Sequence, residues 1–291
     1  MNQQIKHRVF IVGCPRSGTT LLQSLMTAHP EIVSFPESYF FQSLRGPWPW
    51  GSWLGIASPK ARIRFDDLLR EIDREMGDYL PQKSIFQSQY SSAFIEVLDT
   101  ITQQQGKSIW LEKTPQHMLY IDLIEQQVEN PQFVHIQRNG EDVVASLYDW
   151  ALKYPDRSWS HLRDIDRAID LWTKYAEVSQ THLHKPNHML VSYEELASDP
   201  RLSLIEICKF LNIDFDEAML QHSSASKQVV TDNEPWKAAV SQPIANTNGT
   251  KFYQLFSEAQ RQHISDRLSA TPQKNIQEHL KIKLKKLLKY S

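Results

Sequence analysis

Short apolar runs alternate along the chain with longer segments in which apolar residues recur every three or four positions. The short runs predict strands and the periodic segments predict helices. Predicted strands cover 9–12, 32–35, 108–111, 133–137 and 188–193. Because strands and helices alternate, the pattern favours an α/β fold with a central parallel sheet flanked by helices.

The predicted helices lie in the connections between these strands. The first has a buried stripe over 21–26 and ends near His29. The longest covers 158–182 and carries Ile169 and Trp172 on its apolar face. The remaining predicted helices are 65–76, 84–104, 116–128, 140–153, 200–211 and 215–221. The segment 223–250 is polar and irregular in pattern, and a loop of that length is usually functional or mobile.

Length and composition limit the class of protein. The chain has 291 residues, which fits one or two domains. It shows no internal repeat and no break in composition, which favours a single domain over 1–291. With 41% hydrophobic and 23% charged residues, the chain has the composition of a folded globular protein, so disorder and fibrous folds are excluded.

Two features favour a location in the cytoplasm. The two cysteines, Cys14 and Cys208, lie far apart and suggest neither a disulfide framework nor a metal site, which fits a reducing compartment. The apolar run at 9–13 is too short for a signal peptide, and no run approaches the roughly 18 residues of a membrane span. We therefore expect a cytoplasmic protein.

Charge is distributed unevenly along the chain. The net charge is −2, so we expect no nucleic acid as a main partner. Residues 274–291 nevertheless hold six Lys and one Glu, a local charge of +5 that leaves the rest of the chain at −7. Leu280, Leu284 and Leu287 share one face, which predicts a basic amphipathic C-terminal helix over 274–291. This helix either packs on the domain or contacts an acidic membrane surface or partner.

A glycine loop follows the first predicted strand and precedes the first predicted helix. Its pattern is Gly13-x4-Gly18-Thr19-Thr20. Backbone N–H groups at the start of a helix bind anions, so this arrangement predicts a phosphate site. Loops that bind nucleoside triphosphates have Lys where Thr19 stands, and here the positive charge lies at Arg16 instead. An NTP-dependent, kinase-like P-loop enzyme is therefore the less favoured alternative.

The same loop resembles that of a known family, the sulfotransferases that use 3′-phosphoadenosine 5′-phosphosulfate (PAPS). The segment Pro15-Arg16-Ser17-Gly18-Thr19-Thr20-Leu21 is similar to the family's 5′-phosphosulfate loop. The pairs His29-Pro30 and Pro36-Glu37 resemble the branch that includes tyrosylprotein and many bacterial sulfotransferases. The resemblance implies that PAPS is bound here, with 3′-phosphoadenosine 5′-phosphate (PAP) as the product. The residues implied at the 5′-phosphosulfate are Arg16, Ser17, Gly18, Thr19 and Thr20.

Three further segments extend the resemblance. Residues 133–146 are similar to the strand, turn and helix that bind the 3′-phosphate, a role that the resemblance carries to Arg138 and Ser146. Tyr193 stands where the family has a tyrosine near the adenine. The segment Gly249-Thr250-Lys251-Phe252 resembles the late loop that closes over the cofactor, which implies a cofactor contact by Lys251.

Sulfuryl transfer needs a base for the acceptor and a cation at the leaving oxygen. Glu112-Lys113-Thr114-Pro115 resembles the family's catalytic lysine segment, which implies that Lys113 meets the leaving oxygen. Glu37 resembles the base of the tyrosylprotein branch, and His117 is the competing candidate for this role. The small-molecule branch places its histidine two residues after the lysine, whereas His117 is four residues after it. The migrating group carries less charge than a phosphoryl group, so we expect no metal site.

The acceptor is defined less closely. Trp48, Trp50 and Trp53 lie in a segment broken by Pro and Gly, and they fit either an acceptor pocket or a cap over the core. Tyr39 stands where the tyrosylprotein branch has an arginine, so a small molecule, a lipid or a carrier-bound metabolite is at least as well supported as an acidic peptide. The other alternative is a non-catalytic nucleotide-binding protein of the same fold. The presence of the expected Lys113 together with the expected base argues against it.

Overall fold

The computed structural model describes residues 4–45, 54–157, 159–221 and 249–270. These residues contain a five-stranded sheet in which every pair of neighbouring strands is parallel. The predicted α/β fold with a central parallel sheet is thus confirmed. The strands are β1 (His7–Gly13), β2 (Ile32–Phe35), β3 (Ile109–Lys113), β4 (Pro131–Gln137) and β5 (His188–Ser192).

Helices fill the connections between the strands, as the apolar periodicity predicts. Up to β3, they are α1 (Thr19–Thr27), α2 (Phe40–Leu44), α3 (Pro59–Glu71) and α4 (Gln87–Gln104). Between β3 and β5, they are α5 (Ile121–Gln127), α6 (Gly140–Lys153) and α7 (Ile165–His182). After β5, they are α8 (Tyr193–Ser198), α9 (Pro200–Phe210), α10 (Thr250–Leu255) and α11 (Glu258–Ser269). Short 3₁₀ helices cover Met76–Asp78, Pro115–Tyr120, Ser160–Arg163 and Glu217–Leu220.

Several predicted helix boundaries are wrong. α3 begins six residues before the predicted 65, because Ser58 caps the helix by accepting a hydrogen bond from the Lys60 N–H. The helix predicted to begin at 158 is α7, which begins at Ile165 and is capped by the Asp164 side chain. The first part of the predicted helix 116–128 and most of 215–221 are 3₁₀ helices instead.

The sheet is buried on both faces, which is usual for parallel sheets. Successive side chains of β1 point to opposite faces, so Phe10 and Ile11 belong to different hydrophobic clusters. The ring of Phe10 stacks on Phe133 with a centroid distance of 5.5 Å and meets Trp110 edge-on at 5.3 Å. These contacts hold β1 firmly between β3 and β4.

The strand order places a crevice beside the central strand. The order is β2-β3-β1-β4-β5. From β1 the chain runs toward β2, at one edge of the sheet. From β4 it runs toward β5, at the opposite edge. Open parallel sheets bind ligands where two such connections diverge, at the carboxyl ends of the strands. The fold therefore places a candidate site between the loops that follow β1 and β4.

Some expectations fall outside the described residues. They concern the Trp48–Trp53 segment, the C-terminal helix at 274–291 and most of 223–250, of which Thr250 begins α10. The single domain over 1–291 and the cytoplasmic location stay predictions. Among the described helices, none combines the length and the apolar character needed to cross a membrane.

Candidate active site

The loop between β1 and α1 is shaped for the close approach of an anion. Gly18 has φ 94° and lies so near Tyr193 that a β-carbon would stand 2.4 Å from its ring, so glycine is required there. Arg16 also has a positive φ, 74°. No side chain caps the start of α1, whose first N–H groups have no partner within the helix. These N–H groups and the positive end of the helix are suited to a phosphate.

Two arginines converge at the crevice. The Nε of Arg16 donates a hydrogen bond to Ser146 Oγ at 3.2 Å, which joins the loop after β1 to α6. The guanidinium of Arg138 lies 4.4 Å from the centroid of the Tyr193 ring and 3.9 Å from Asp142 Oδ1. Burial, and secondarily the charge of Arg138, lower the pKa of Arg16. Because the two cations repel each other, this crevice favours a ligand with several negative charges.

A buried ion pair lies next to the phosphate loop. The Nζ of Lys113, at the end of β3, donates to Glu37 Oε1 and lies 3.5 Å from Thr20 Oγ1. The side chain of Lys113 is 1% exposed and that of Glu37 is 13% exposed. The hydroxyl of Tyr39 donates to the other carboxylate oxygen of Glu37 at 2.6 Å. A carboxylate and an ammonium group therefore stand together beside the loop, as proton transfer at an acceptor and stabilisation of a leaving group require.

A second buried network lies behind this pair. Glu112 accepts hydrogen bonds from the Ser38 N–H at 3.2 Å, from Ser38 Oγ at 2.8 Å and from Thr114 Oγ1 at 2.5 Å. Its other oxygen pairs with His117 Nδ1 at 2.9 Å. Burial raises the pKa of Glu112, but His117 and the hydroxyl donors outweigh it, and the net shift is downward. This network anchors the segment that carries Glu37.

The surroundings of His117, the competing candidate for the base, differ from those of Glu37. Its ring is fully buried, and its Nε2 accepts a hydrogen bond from the Phe41 N–H at 3.2 Å. The proton must then lie on Nδ1, which donates to Glu112. Both nitrogens have protein partners, so His117 holds the backbone near Glu37, and Glu37 is the better supported of the two candidate bases.

A cavity of about 540 Å³ opens in front of the phosphate loop and the ion pair. This volume lies within the range of sites for small molecules. Arg16, Thr19, Thr20 and Glu37 line one part of it. The remaining lining includes Tyr39, Gln42, Arg64, Pro115, Gln116, Trp150, Arg157 and Trp159.

Comparison with known proteins agrees with this geometry. The sequence model of a protein family described as the sulfotransferase family matches residues 8–217, which is more than half of the chain. The chain belongs to the sulfotransferase family. The resemblance carried by its phosphate loop is thereby confirmed.

The relatives of this sulfotransferase-family chain include animal enzymes. It is 24% identical over 222 residues to a protein-tyrosine sulfotransferase of Drosophila melanogaster and 25% identical over 221 residues to protein-tyrosine sulfotransferase 2 of Gallus gallus. Each alignment covers 74% of this chain, but 40% of the first relative and 53% of the second. The chain thus spans about half the length of these relatives, or less.

Solved structures show the same fold. The sulfotransferase domain of the Synechococcus PCC 7002 olefin synthase matches with a TM-score of 0.59 and 19% identity, over 92% of this chain and 96% of that domain. A mouse sulfotransferase matches with a TM-score of 0.56 and 14% identity, over 98% of this chain and 90% of that one. The described sheet and helices therefore have the sulfotransferase fold.

The structure places most of the residues predicted from the family resemblance at the carboxyl ends of the strands. They follow five different strands: Arg16, Gly18, Thr19 and Thr20 after β1, Glu37 after β2, Lys113 at the end of β3, Arg138 and Ser146 after β4, and Tyr193 after β5. Tyr193 contacts both the loop glycine and Arg138. Their individual roles stay predictions.

Two residues that were predicted to contact the cofactor, Ser17 and Lys251, make other contacts in this structure. The Ser17 side chain is fully buried and lines a small void beneath the loop together with Cys14, and its N–H donates to the Cys14 carbonyl. Its hydroxyl is buried and has no hydrogen-bond partner among the described residues, and Ser17 does not line the larger cavity. Lys251 donates to Asp149 Oδ2 at 2.5 Å, and its side chain is 48% exposed. Burial opposes ionisation of Asp149, but hydrogen bonds from Lys251 and Lys153 produce a net lowering of its pKa.

Other residues of the cavity are missing from the sequence-based set. Trp150 follows Ser146 by one helical turn on α6, and that spacing is a signal that identifies it. Arg64 comes from α3, more than 40 residues before Lys113, and nothing in its local sequence marks it. Only the packing of α3 beside α2 brings it to the cavity.

Proposed function

We propose that this chain transfers a sulfuryl group from PAPS to the hydroxyl or amine of an acceptor. The observation that carries the proposal is the hydrogen bond between Arg16 and Ser146, which joins two anion-binding segments next to the Glu37–Lys113 pair. A site with two phosphate-binding arms and a neighbouring carboxylate suits a nucleotide with separated anionic groups. The mouse sulfotransferase of similar fold is complexed with PAP, which supports the same ligand for this chain.

The residues present fit this donor. The first N–H groups of α1, together with Arg16, would hold the 5′-phosphosulfate. Arg138 and Ser146 would hold the 3′-phosphate. Gly18 leaves room for the Tyr193 ring, which would lie near the adenine. When bound, PAPS supplies the sulfuryl group, whose bond to the phosphate oxygen breaks as its bond to the acceptor oxygen forms.

The positions of Glu37 and Lys113 support a separate role for each residue. Glu37 accepts the proton of the acceptor hydroxyl, which makes the oxygen a better nucleophile, and later releases the proton to solvent. Lys113 places a positive charge between the base and the phosphate loop, where negative charge develops on the leaving oxygen. Arg16 and the helix N–H groups stabilise the same charge from the other side.

The residues that line the cavity indicate which kind of acceptor it suits. Tyr39, Trp150 and Trp159 offer aromatic surface, and Arg64 and Arg157 offer positive charge. A small hydroxylated molecule, or the modified arm of a larger lipid, carrier or peptide, fits a space of about 540 Å³.

The other two functions have less support. An NTP-dependent enzyme needs a lysine where Thr19 stands. A non-catalytic binding protein has no need of a buried Lys113–Glu37 pair, which is costly to desolvate and is typical of functional sites.

Nucleotide binding tests the proposal. We expect saturating PAP to raise the melting temperature in EDTA by on the order of 5 °C, because a ligand that binds only the folded state stabilises it. AMP, which lacks the 3′-phosphate, and ATP with Mg²⁺ are the matched comparisons and should raise it far less. No shift with PAP, or a strict requirement for Mg²⁺, would refute the proposed donor.

A further inference from the structure

We infer that Tyr39 is a positioning residue of the site, which holds the Glu37 carboxylate in place and favours its ionised form. The inference rests on the proposed function, since it concerns the base of that reaction. The sequence did not suggest this role. It showed only that Tyr39 stands at the position where the tyrosylprotein branch has an arginine.

The first observation is the contact itself. The Tyr39 hydroxyl donates to Glu37 Oε2 at 2.6 Å, while Lys113 donates to Oε1. Each carboxylate oxygen thus has its own donor, one from the neighbouring residues of the chain and one from the end of β3. A carboxylate that is held at both oxygens has a fixed orientation, and donors of this kind stabilise its charged form.

The second observation is the backbone of Tyr39. Its φ of 50° and ψ of 20° are left-handed values, which are uncommon for a bulky residue and cost free energy. The surrounding network holds this conformation: the Tyr39 N–H donates to Thr114 Oγ1 at 3.4 Å, and the flanking Ser38 is bound by Glu112. The Phe41 N–H is bound by His117. Residues on both sides of Tyr39 are therefore anchored, and the strained backbone turns the phenol back onto Glu37, two residues earlier.

The third observation is the contact of the ring. Tyr39 lines the cavity, and the guanidinium of Arg64 lies 5.8 Å from its ring centroid. This cation–π contact helps to hold the ring at the cavity. The charged groups that share the cavity with Glu37 are Arg16 from the phosphate loop, Arg64 from α3 and Arg157 after α6, together with Lys113 from β3. All four are cations, whereas Tyr39 is a neutral donor to the carboxylate.

The test measures the titration of Glu37 directly. Protein labelled with ¹³C at the glutamate carboxyls is titrated by NMR, with the Glu37 signal assigned from its loss in E37Q. We expect Tyr39→Phe to move the Glu37 midpoint upward by about 1 pH unit, because the carboxylate loses one hydrogen-bond donor. Tyr79→Phe, at a partly buried tyrosine that does not line the cavity, is the matched control and should leave the midpoint unchanged.

The pH profile of turnover gives a second readout. In Tyr39→Phe, the acid limb of the profile should move to higher pH by the same amount, while the melting temperature and PAP affinity stay near those of the native protein. An unchanged Glu37 midpoint in Tyr39→Phe would overturn the inference. Failure of the proposed function has a different signature, namely full turnover in E37Q, which would remove Glu37 as the base whatever its midpoint.

Discussion

Replacing Glu37 by Gln is expected to slow sulfuryl transfer by about 10²- to 10⁴-fold, the usual contribution of a positioned base. Glutamine has nearly the same shape, its carbonyl oxygen can accept the hydrogen bond from Lys113, and its amide nitrogen can donate to the Tyr39 hydroxyl, so packing is preserved. It cannot take the proton of the acceptor. Because Lys113 then keeps its positive charge without a counter-charge, PAP binding should not weaken. Initial rates at saturating acceptor, together with PAP titrations by calorimetry, measure both quantities.

Glu96→Gln is the control for this experiment, since Glu96 is an exposed residue of α4. It should retain native turnover and native PAP affinity. Turnover close to the native rate in E37Q would mean that another group removes the proton. A large loss of PAP affinity in E37Q would mean that Glu37 contributes to the nucleotide site instead.

Arg138→Ala is expected to weaken PAP binding by about 10- to 100-fold, because a hydrogen bond to a charged group contributes about 1.5–3 kcal/mol. The loss should be selective. The native protein should bind PAP much more tightly than AMP, and Arg138→Ala should remove most of that difference, since the lost contact is to the 3′-phosphate, which AMP lacks. Arg16→Ala should instead weaken both nucleotides, because both carry the 5′-phosphate.

Arg201 supplies a matched control for Arg138. It too lies over an aromatic ring, that of Phe215 at 5.4 Å, and it too pairs with a carboxylate, Glu217. Arg201→Ala removes the same kinds of contact at a surface far along the chain from the two phosphate motifs and should leave PAP binding unchanged. Equal losses of PAP and AMP affinity in Arg138→Ala would assign the 3′-phosphate to another residue.

The arrangement of the site could be predicted largely because it follows from strand ends. Strand β1 contains the continuous apolar run 9–12 and β4 is rich in apolar residues, so the positions of both strands are clear from the sequence. Parallel strands end at one edge of a sheet, so residues that follow them, such as Arg16 and Arg138, must lie close together. The hydrogen bond from Arg16 to Ser146 is the local result of that rule.

Other parts of the site depend on contacts that no local pattern records. Arg64 reaches the cavity only through the packing of α3, and the phenol of Tyr39 meets Glu37 only because the backbone adopts a left-handed conformation. His117 is another residue whose contacts the local sequence does not record. Its spacing from Lys113 argued against a catalytic role, but the sequence does not show that its ring is buried and that both of its nitrogens have protein partners.

The start of α7 illustrates how a local competition decides an element. The apolar periodicity over 158–182 extends the predicted helix too far toward the N-terminus. Asp164 accepts hydrogen bonds from the N–H groups of Asp166 and Arg167, which begins the helix at Ile165. The preceding Ser160–Arg163 forms a 3₁₀ helix, and Trp159, just before it, meets Trp150 at 5.5 Å at the cavity.

Transfer of label is the most direct test of the central claim, that this chain moves a sulfuryl group from PAPS to an acceptor. Native protein and E37Q are each incubated in EDTA with ³⁵S-labelled PAPS and a library of hydroxylated and amine acceptors. The account predicts that the native protein forms a labelled product and one equivalent of PAP, and that E37Q, while still binding PAP, forms product at least about 100-fold more slowly. Binding of PAPS with no labelled product from any acceptor class, or transfer that stops in EDTA, would contradict it.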